Sequence, residues 1–519
     1  MFFTPSSGRD RITGAAAGRD RRRVYHPPPA GRPDAGMLSR RPRAVVVGGG
    51  IAGLTAAVAL AERGVAVQLY ERRDHLGGRA GGWTQTLSDG THVGMSRGFH
   101  AFFRQYYNLR ALLRRTDPDL GLLTAVPDYP LVDAAGRTDT FRGLPRTPPW
   151  NALAFALRSP TFTPADLLRL NARAALPLLN VTVPGTYRRL DHLNAEEFLT
   201  RLRFPAAARH LAFEVFSRSF FAPPDRLSAA ELAVMFHIYF LGSAEGLLFD
   251  VPNVPFHGLW TPLADHLTDL GAEVRLGTPV GAVHPEPGGF RVDSGDHGVH
   301  ADAVVLALDI PGLRELVEAS PALGTPPWRQ RILALSTAPS FLVRRLWLDR
   351  PVAAHRPAFL ATGGLPPLDN ISVLNRYDRE AAARAAATGG SVIELHAYAV
   401  TTPRDEASAR LLGRLHEIYP ETAAARTVSE FSAWNEDCPL FAPGTFQGRP
   451  AVAGPMRGLV LAGDGIRIDL PVALMERAAT TGWCAANLLL SGWGLAGHPL
   501  TTVPLRGRLT LPHRPSLRR

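Results

Sequence analysis

"AVVVGGGIAGLTAAVALAERGVAVQLYERRDHLGGRA" occupies residues 44–80. "AVVV" (44–47) is a continuous, largely β-branched run, the pattern of a strand buried on both faces. "GGGIAG" follows, and "LTAAVALAERG" reads as a small-residue helix ending at Gly64. "VAVQLYE" is a second strand, closing on Glu71. The segment is a βαβ unit with Gly48-x-Gly50-x-x-Gly53 at its strand-to-helix turn. Glycines there allow a tight turn, close approach of backbone to a pyrophosphate, and close packing of helix on strand. The helix N-terminus offers N–H donors and the positive end of its dipole to phosphate. Glu71 lies 18 residues after Gly53, where it can accept from ribose hydroxyls. The unit predicts dinucleotide binding; the competing reading is a glycine-rich turn without a ligand.

Working outward, 519 residues predict two interlocked domains. The apolar share of 45% and charged share of 20% are ordinary for a globular chain. The net charge of +11 is confined to the ends. Residues 1–43 hold ten Arg and three Asp, and residues 504–519 hold five Arg and no acid, which leaves −1 for the body. A nucleic-acid groove needs basic residues on the folded body, so that class is excluded. The tails read as solvated arms or as weak attraction to an anionic membrane face. The chain has no lysine, which excludes Schiff-base chemistry. Cys438 and Cys484 are its two cysteines, too few for a disulfide framework and in keeping with a reducing cytoplasm. No His/Cys/Asp/Glu spacing predicts a metal site.

Arg40 and Arg41 precede the apolar run, as in an export signal, but three glycines interrupt it and the run is read as the first strand. Met37 is an alternative start. No stretch of about twenty uninterrupted apolar residues predicts a transmembrane helix.

Residues 105–250 read as mostly helical. "TPADLLRLNARAALPLLN" (163–180) predicts a helix opened by a Thr cap and a Pro. "SAAELAVMFHIYFLG" (228–242) predicts a helix with a capping box from Ser228 to Glu231. "SFLVRRLWL" (340–348) and "SVIELHAYAV" (391–400) predict strands of a second sheet.

Glu71-x5-Gly77-Gly78-Arg79 resembles the signature of the amine-oxidase and carotene-desaturase flavoprotein superfamily. The resemblance implies FAD, with Gly77, Gly78 and Arg79 against pyrophosphate and flavin. "LGTPVGAV" resembles a returning segment of that superfamily in which Val280 meets adenine through its backbone. "LVLAGDG" resembles its C-terminal motif, placing Gly463 and Asp464 on the ribityl chain. Four motifs in this order imply an α/β fold: a Rossmann-like FAD-binding domain with an interlaced α+β substrate domain. Residues 44–110, 255–310 and 450–490 are assigned to the first, and 111–254 and 311–449 to the second. Residues 1–43 are expected to be a disordered basic tail and 500–519 a second basic tail.

Gly98-Phe99-His100-Ala101-Phe102-Phe103 with Tyr106, Tyr107 and Asn108 resembles the flavin-facing strand of phytoene and zeta-carotene desaturases. The longer "GMSRGFHAFFRQYYNLRALLRR" (94–115) and "DLPVALMERAATTG" (469–482) resemble the carotene aromatases, the isorenieratene or φ-ring synthases. That resemblance implies oxidation of a carotene β-ionone ring, a methyl shift and proton loss. Phe99, Phe102, Phe103 and Tyr107 are candidate substrate walls, and His100, Asp469 and Glu476 candidate acid/base groups. Phe102, Phe103, Tyr106 and Leu109 also fit a helix packing on core, and His100 also fits a structural histidine. Three other functions stay open: an acyclic carotene desaturase or isomerase, a non-redox lipid-binding escort of the same fold, and an amine oxidase, against which the absence of lysine speaks. A carotene is drawn from lipid, so peripheral docking on the inner membrane face through 150–170 and 235–241 is expected.

Overall fold

The computed structural model describes residues 22–212, 218–295 and 297–507. Its centre is a parallel sheet of β1 (Arg43–Val47), β2 (Ala66–Tyr70), β3 (Glu273–Arg275), β4 (Ala303–Leu306) and β5 (Leu459–Leu461). The spatial order is β3-β2-β1-β4-β5. Val47 lies opposite both Tyr70 and Leu306, and Leu306 opposite Leu461, so these strands end at one edge. A ligand crevice in an open parallel sheet lies outside that edge.

Helix α1 (Ile51–Ala61) is buried along its whole length. It packs on the C-terminal helix α7 (Leu474–Gly492), and small residues set the spacing. A Cβ added at Gly482 would lie 2.4 Å from the Ala52 carbonyl oxygen. A larger residue there drives the two helices apart.

A second, seven-stranded sheet is mostly antiparallel. Ser340–Leu348 sits between Thr427–Asn435 and Ser391–Val400, and Asn370–Val373 continues it. The helices between residues 107 and 242 come between β2 and β3 of the parallel sheet in sequence. They include α2 (Tyr107–Leu113), α3 (Trp150–Arg158), α4 (Pro164–Arg169), α5 (Ala172–Leu179) and α6 (Ala229–Phe236).

Three expectations change on the structure. The segment after Thr163 forms two helices, because Asn171 caps a new one by accepting from the Ala174 N–H at 3.2 Å. Ser228 does cap α6, accepting from the Ala230 N–H at 3.2 Å. The Glu231 half of the expected capping box is missing, because its carboxylate is held by Arg449 and Arg477. The tails also differ from the disordered reading where they are described. Val24–His26 pairs antiparallel with Leu500–Thr502, and Asn108 fastens that ribbon through both the N–H and the carbonyl of Thr501. Such pairing joins opposite ends of the chain, so local composition carries no sign of it. Residues 1–21 and 508–519 of the expected tails lie outside the described residues.

Candidate active site

At the C-terminal edge of the parallel sheet lies one continuous cavity of about 540 Å³. One end is built by the glycine turn. Gly48 leaves β1 at φ +106 and Gly50 caps α1 without any side-chain cap, so the first-turn N–H groups have no internal acceptor. The Glu71 carboxylate at the end of β2 accepts from the Gly49 N–H at 2.7 Å and the Arg73 N–H at 2.9 Å. Gly77 holds a left-handed φ of +94, and its N–H donates to the Gly49 carbonyl at 2.9 Å. The two glycine motifs are thereby laid side by side.

Gly53 has a different task from Gly50. A Cβ at Gly53 would sit 1.8 Å from the Gly48 carbonyl oxygen, whereas one at Gly50 meets only the Gly78 Cα at 3.8 Å. Gly53 is required by packing, and Gly50 faces open space in the cavity. An anion-binding helix end fronted by empty, side-chain-free space fits the pyrophosphate of a dinucleotide. Glu71, Arg79, Val280, Gly463 and Asp464 line the same cavity. Arg79 forms an ion pair with Asp464, which ties the second glycine motif to the loop after β5.

The other end of the cavity is aromatic. Phe99 lies 4.7 Å from Phe359 and 5.3 Å from Phe249, ring centre to ring centre. Phe103 lies 4.4 Å from Tyr239. Phe99, His100 and Phe103 line the cavity. His100 donates from Nδ1 to the Gly98 carbonyl at 2.9 Å and has no carboxylate partner among the described residues. Burial, helped by Arg97 and Arg79, lowers its pKa to about 4, so the ring is neutral at physiological pH.

Four expected site residues are placed elsewhere. Phe102 is fully buried and turned into the core, because it alternates with Phe103 along the short strand Phe102–Phe103. Tyr107 opens α2 and packs on the core instead of the cavity. Asp469 is exposed on a loop outside the cavity. Glu476 is buried behind α2, where its two oxygens accept from the Asn108 and Leu109 N–H groups at 2.9 Å each. Burial pushes its pKa up to about 8, but it caps a helix and does not reach the cavity. Tyr106, read as helix packing, lines the cavity and meets Tyr239 hydroxyl to hydroxyl at 2.8 Å.

Other lining residues come from distant strands, Phe249, Phe341, His396 and Tyr398, and from a loop, Tyr129. Glu394, His396 and Tyr398 did leave a signal, since "SVIELHAYAV" alternates polar and apolar from Glu394 to Tyr398. Period two places these three on one face of the strand.

The flavin-containing amine oxidoreductase family matches residues 51–490. The chain belongs to that family. It is a flavin oxidoreductase, and its cofactor is FAD. Among curated relatives, a carotenoid phi-ring synthase of Streptomyces griseus is 57% identical over 511 residues, covering 98% of each chain. A carotenoid phi-ring synthase of Chlorobaculum tepidum is 28% identical, over 91% of this chain and 92% of the relative. A solved putrescine oxidase with putrescine bound shares the fold at a TM-score of 0.64 and 18% identity, over 87% of this chain and 99% of that one.

Proposed function

We propose that this flavoprotein converts β-ionone rings of a carotene into aromatic φ-rings. The supporting observation is an aromatic-walled cavity, continuous with the dinucleotide cradle, in a chain so similar to a phi-ring synthase along its whole length. Each ring loses two hydrides and two protons on becoming aromatic, and bound FAD, reoxidised between the two oxidations by an external electron acceptor, would supply the oxidant for both. Gly50 and the α1 N-terminus hold its pyrophosphate, Glu71 a ribose, Val280 the adenine, and Gly77, Gly78, Arg79, Gly463 and Asp464 the flavin half. Phe99, Phe103, Phe249 and Tyr129 form a dry wall whose ring faces stabilise positive charge on the substrate, by roughly 0.5–2 kcal/mol per face. A methyl group shifts within that wall, and loss of the second proton, after the second oxidation, makes the ring aromatic.

The holoprotein given β-carotene, or expressed in a β-carotene-producing host, is expected to yield aromatic end groups. Activity confined to lycopene or phytoene, with longer linear conjugation and no arene, overturns this reading in favour of an acyclic desaturase.

The substrate enters from a lipid surface. No helix among the described residues is long and apolar enough to cross a membrane. Large apolar side chains nevertheless stand exposed on α3 to α5: Trp150 at 61%, Leu153 at 44%, Leu157 at 64% and Leu168 at 88%. Both α3 and α5 pack on the turn His237–Leu241, whose Tyr239 and Phe240 line the cavity. Phe155 of α3 stacks on the cavity residue Phe141, ring centres 5.0 Å apart. The apolar face therefore backs onto the cavity wall, as a monotopic entry surface should. Replacing Trp150, Leu157 and Leu168 together with Ser is expected to abolish flotation with anionic liposomes, leaving the flavin spectrum unchanged. Undiminished flotation of the triple variant places the membrane contact elsewhere.

A further inference from the structure

We propose that Tyr398 is the catalytic proton acceptor of ring aromatisation, relaying the proton to His396, with Glu394 and Arg345 as positioning residues. The inference rests on the reading of the cavity as a φ-ring site. The three residues Glu394, His396 and Tyr398 stand on one face of the strand Ser391–Val400. The Tyr398 hydroxyl meets His396 Nδ1 at 2.9 Å. His396 Nε2 meets Glu394 Oε1 at 2.9 Å. Arg345 donates to Glu394 Oε2 from Nε at 2.9 Å and from its terminal nitrogen at 2.7 Å. The side chains of His396 and Glu394 are 1% and 2% exposed.

The chain of bonds fixes the protons. Burial pushes the Glu394 carboxyl up, but Arg345 and His396 override it and hold the group at about 2. Glu394 is thus an acceptor only, so His396 carries its proton on Nε2 and presents a lone pair at Nδ1. Tyr398 must donate to that lone pair, which leaves its hydroxyl oxygen able to accept. Both Tyr398 and His396 line the cavity beside Phe99 and Tyr129. Gly98, at φ +111, keeps the approach narrow: a Cβ there would lie 2.8 Å from His396 Cε1.

The rival groups are less suited. Asp369 is committed to Arg218 at 2.8 Å and to the Tyr398 N–H at 2.5 Å. His100 has no carboxylate to stabilise an imidazolium, and Arg97 and Arg79 oppose one. Of the two histidines that line the cavity, His396 is the one with a buried carboxylate aligned behind it, the arrangement that orients and supports a base in hydrolytic triads.

Making a β-ionone ring aromatic removes two hydrides and two protons. The step is the second proton loss, from a ring cation that has already given up both hydrides to a flavin reoxidised between them by an external electron acceptor, lost one proton and shifted its methyl group. A ring C–H bond breaks and its electron pair becomes the new ring π bond. The proton binds the Tyr398 hydroxyl oxygen as the hydroxyl's own proton moves to His396 Nδ1. The imidazolium rests against the Glu394 carboxylate, and later release of one proton to solvent restores the relay. No electrons pass between molecules in this step.

The test uses the FAD-loaded full chain with β-carotene in liposomes. Tyr398→Phe removes one oxygen and His396→Gln keeps a polar side chain. Each is expected to retain flavin absorbance and KM for β-carotene, and to form arene about 10²-fold or more slowly. The double variant should be no slower than the worse single one, because members of a relay act as a unit. Glu394→Gln should lower kcat with KM unchanged. Arene formation within about threefold of wild type in Tyr398→Phe, or independent losses in the double variant, overturns the relay. A loss seen in His100→Gln and absent from Tyr398→Phe and His396→Gln also overturns it. If His396→Gln does not fold, Tyr398→Phe alone decides. Absence of arene from wild type as well is a failure of the φ-ring reading, and is thereby distinguishable.

Discussion

Gly50→Ala is expected to give a folded protein that purifies with little or no flavin. The backbone at Gly50 is extended, φ −75 and ψ −178, which any residue adopts. Its added Cβ touches nothing closer than the Gly78 Cα at 3.8 Å, so the apoprotein has no reason to rearrange. The methyl group instead fills the space in front of the α1 N-terminus, where the pyrophosphate must touch backbone. Overpacking of this kind costs roughly 1–3 kcal/mol, or about fivefold to 150-fold in FAD affinity. Gly53→Ala is the contrast. Its Cβ would overlap the Gly48 carbonyl oxygen at 1.8 Å, so α1 must move off β1. Flavin absorbance after dialysis, with thermal melting of the two apoproteins, separates them. Gly50→Ala should melt like wild-type apoprotein, and Gly53→Ala should melt lower. Full retention of FAD by Gly50→Ala removes the cradle from the pyrophosphate.

Glu231→Gln is expected to destabilise the fold by about 3–5 kcal/mol, the range for removing one partner of a buried ion pair. Glu231 is completely buried, with Arg449 at 2.8 Å from one oxygen and Arg477 at 2.7 Å from the other. The Tyr187 hydroxyl donates to it as well, at 3.0 Å. Neutralising the carboxylate strands two guanidinium groups, 4% and 3% exposed, inside the protein. The damage reaches the cofactor loop, because Arg477 also donates to the Asp464 carbonyl at 3.3 Å. Urea unfolding of the apoprotein measures the loss, and weaker FAD retention should accompany it. The pH dependence has a definite sign. Burial pushes the Glu231 carboxyl up, but Arg477 and Arg449 override it and hold the folded pKa below the usual carboxylate value of 4.5. The stabilisation is therefore present above that value and is lost as pH falls through the lowered folded pKa. Glu231→Gln should lack that acid-dependent loss. Unchanged urea stability would mean that the two arginines find other partners.

The sequence of the βαβ unit was read with little ambiguity because its physics is local. A β-branched run, a glycine turn, a small-residue helix and a terminal acid each leave a mark within forty residues. The aromatic stretch was only half legible. Period two along Phe102–Phe103 decides that Phe103 faces the cavity and Phe102 the core, but which phase applies depends on what packs on each side. Glu476 looked like an acid/base candidate because its neighbours resemble a flavin segment. Its actual task, capping the first buried N–H groups of α2, exists only because α2 and α7 meet. Glu231 was read as half of a capping box for a similar reason: spacing shows the local partner and hides two arginines more than 200 residues away.

The sequence by itself determined a dinucleotide-binding βαβ unit and an aromatic-rich stretch after it, both carried by short-range pattern and residue chemistry, while FAD and the order of its motifs followed from the resemblance to the flavoprotein superfamily. The tertiary structure decided which of those aromatics face the cavity. It also decided which buried carboxylates are structural, and that His396 and Tyr398 line the cavity together with His100. Those choices are set by long-range packing and by pairing of charges in a low-dielectric interior, where position relative to a distant partner outweighs residue type.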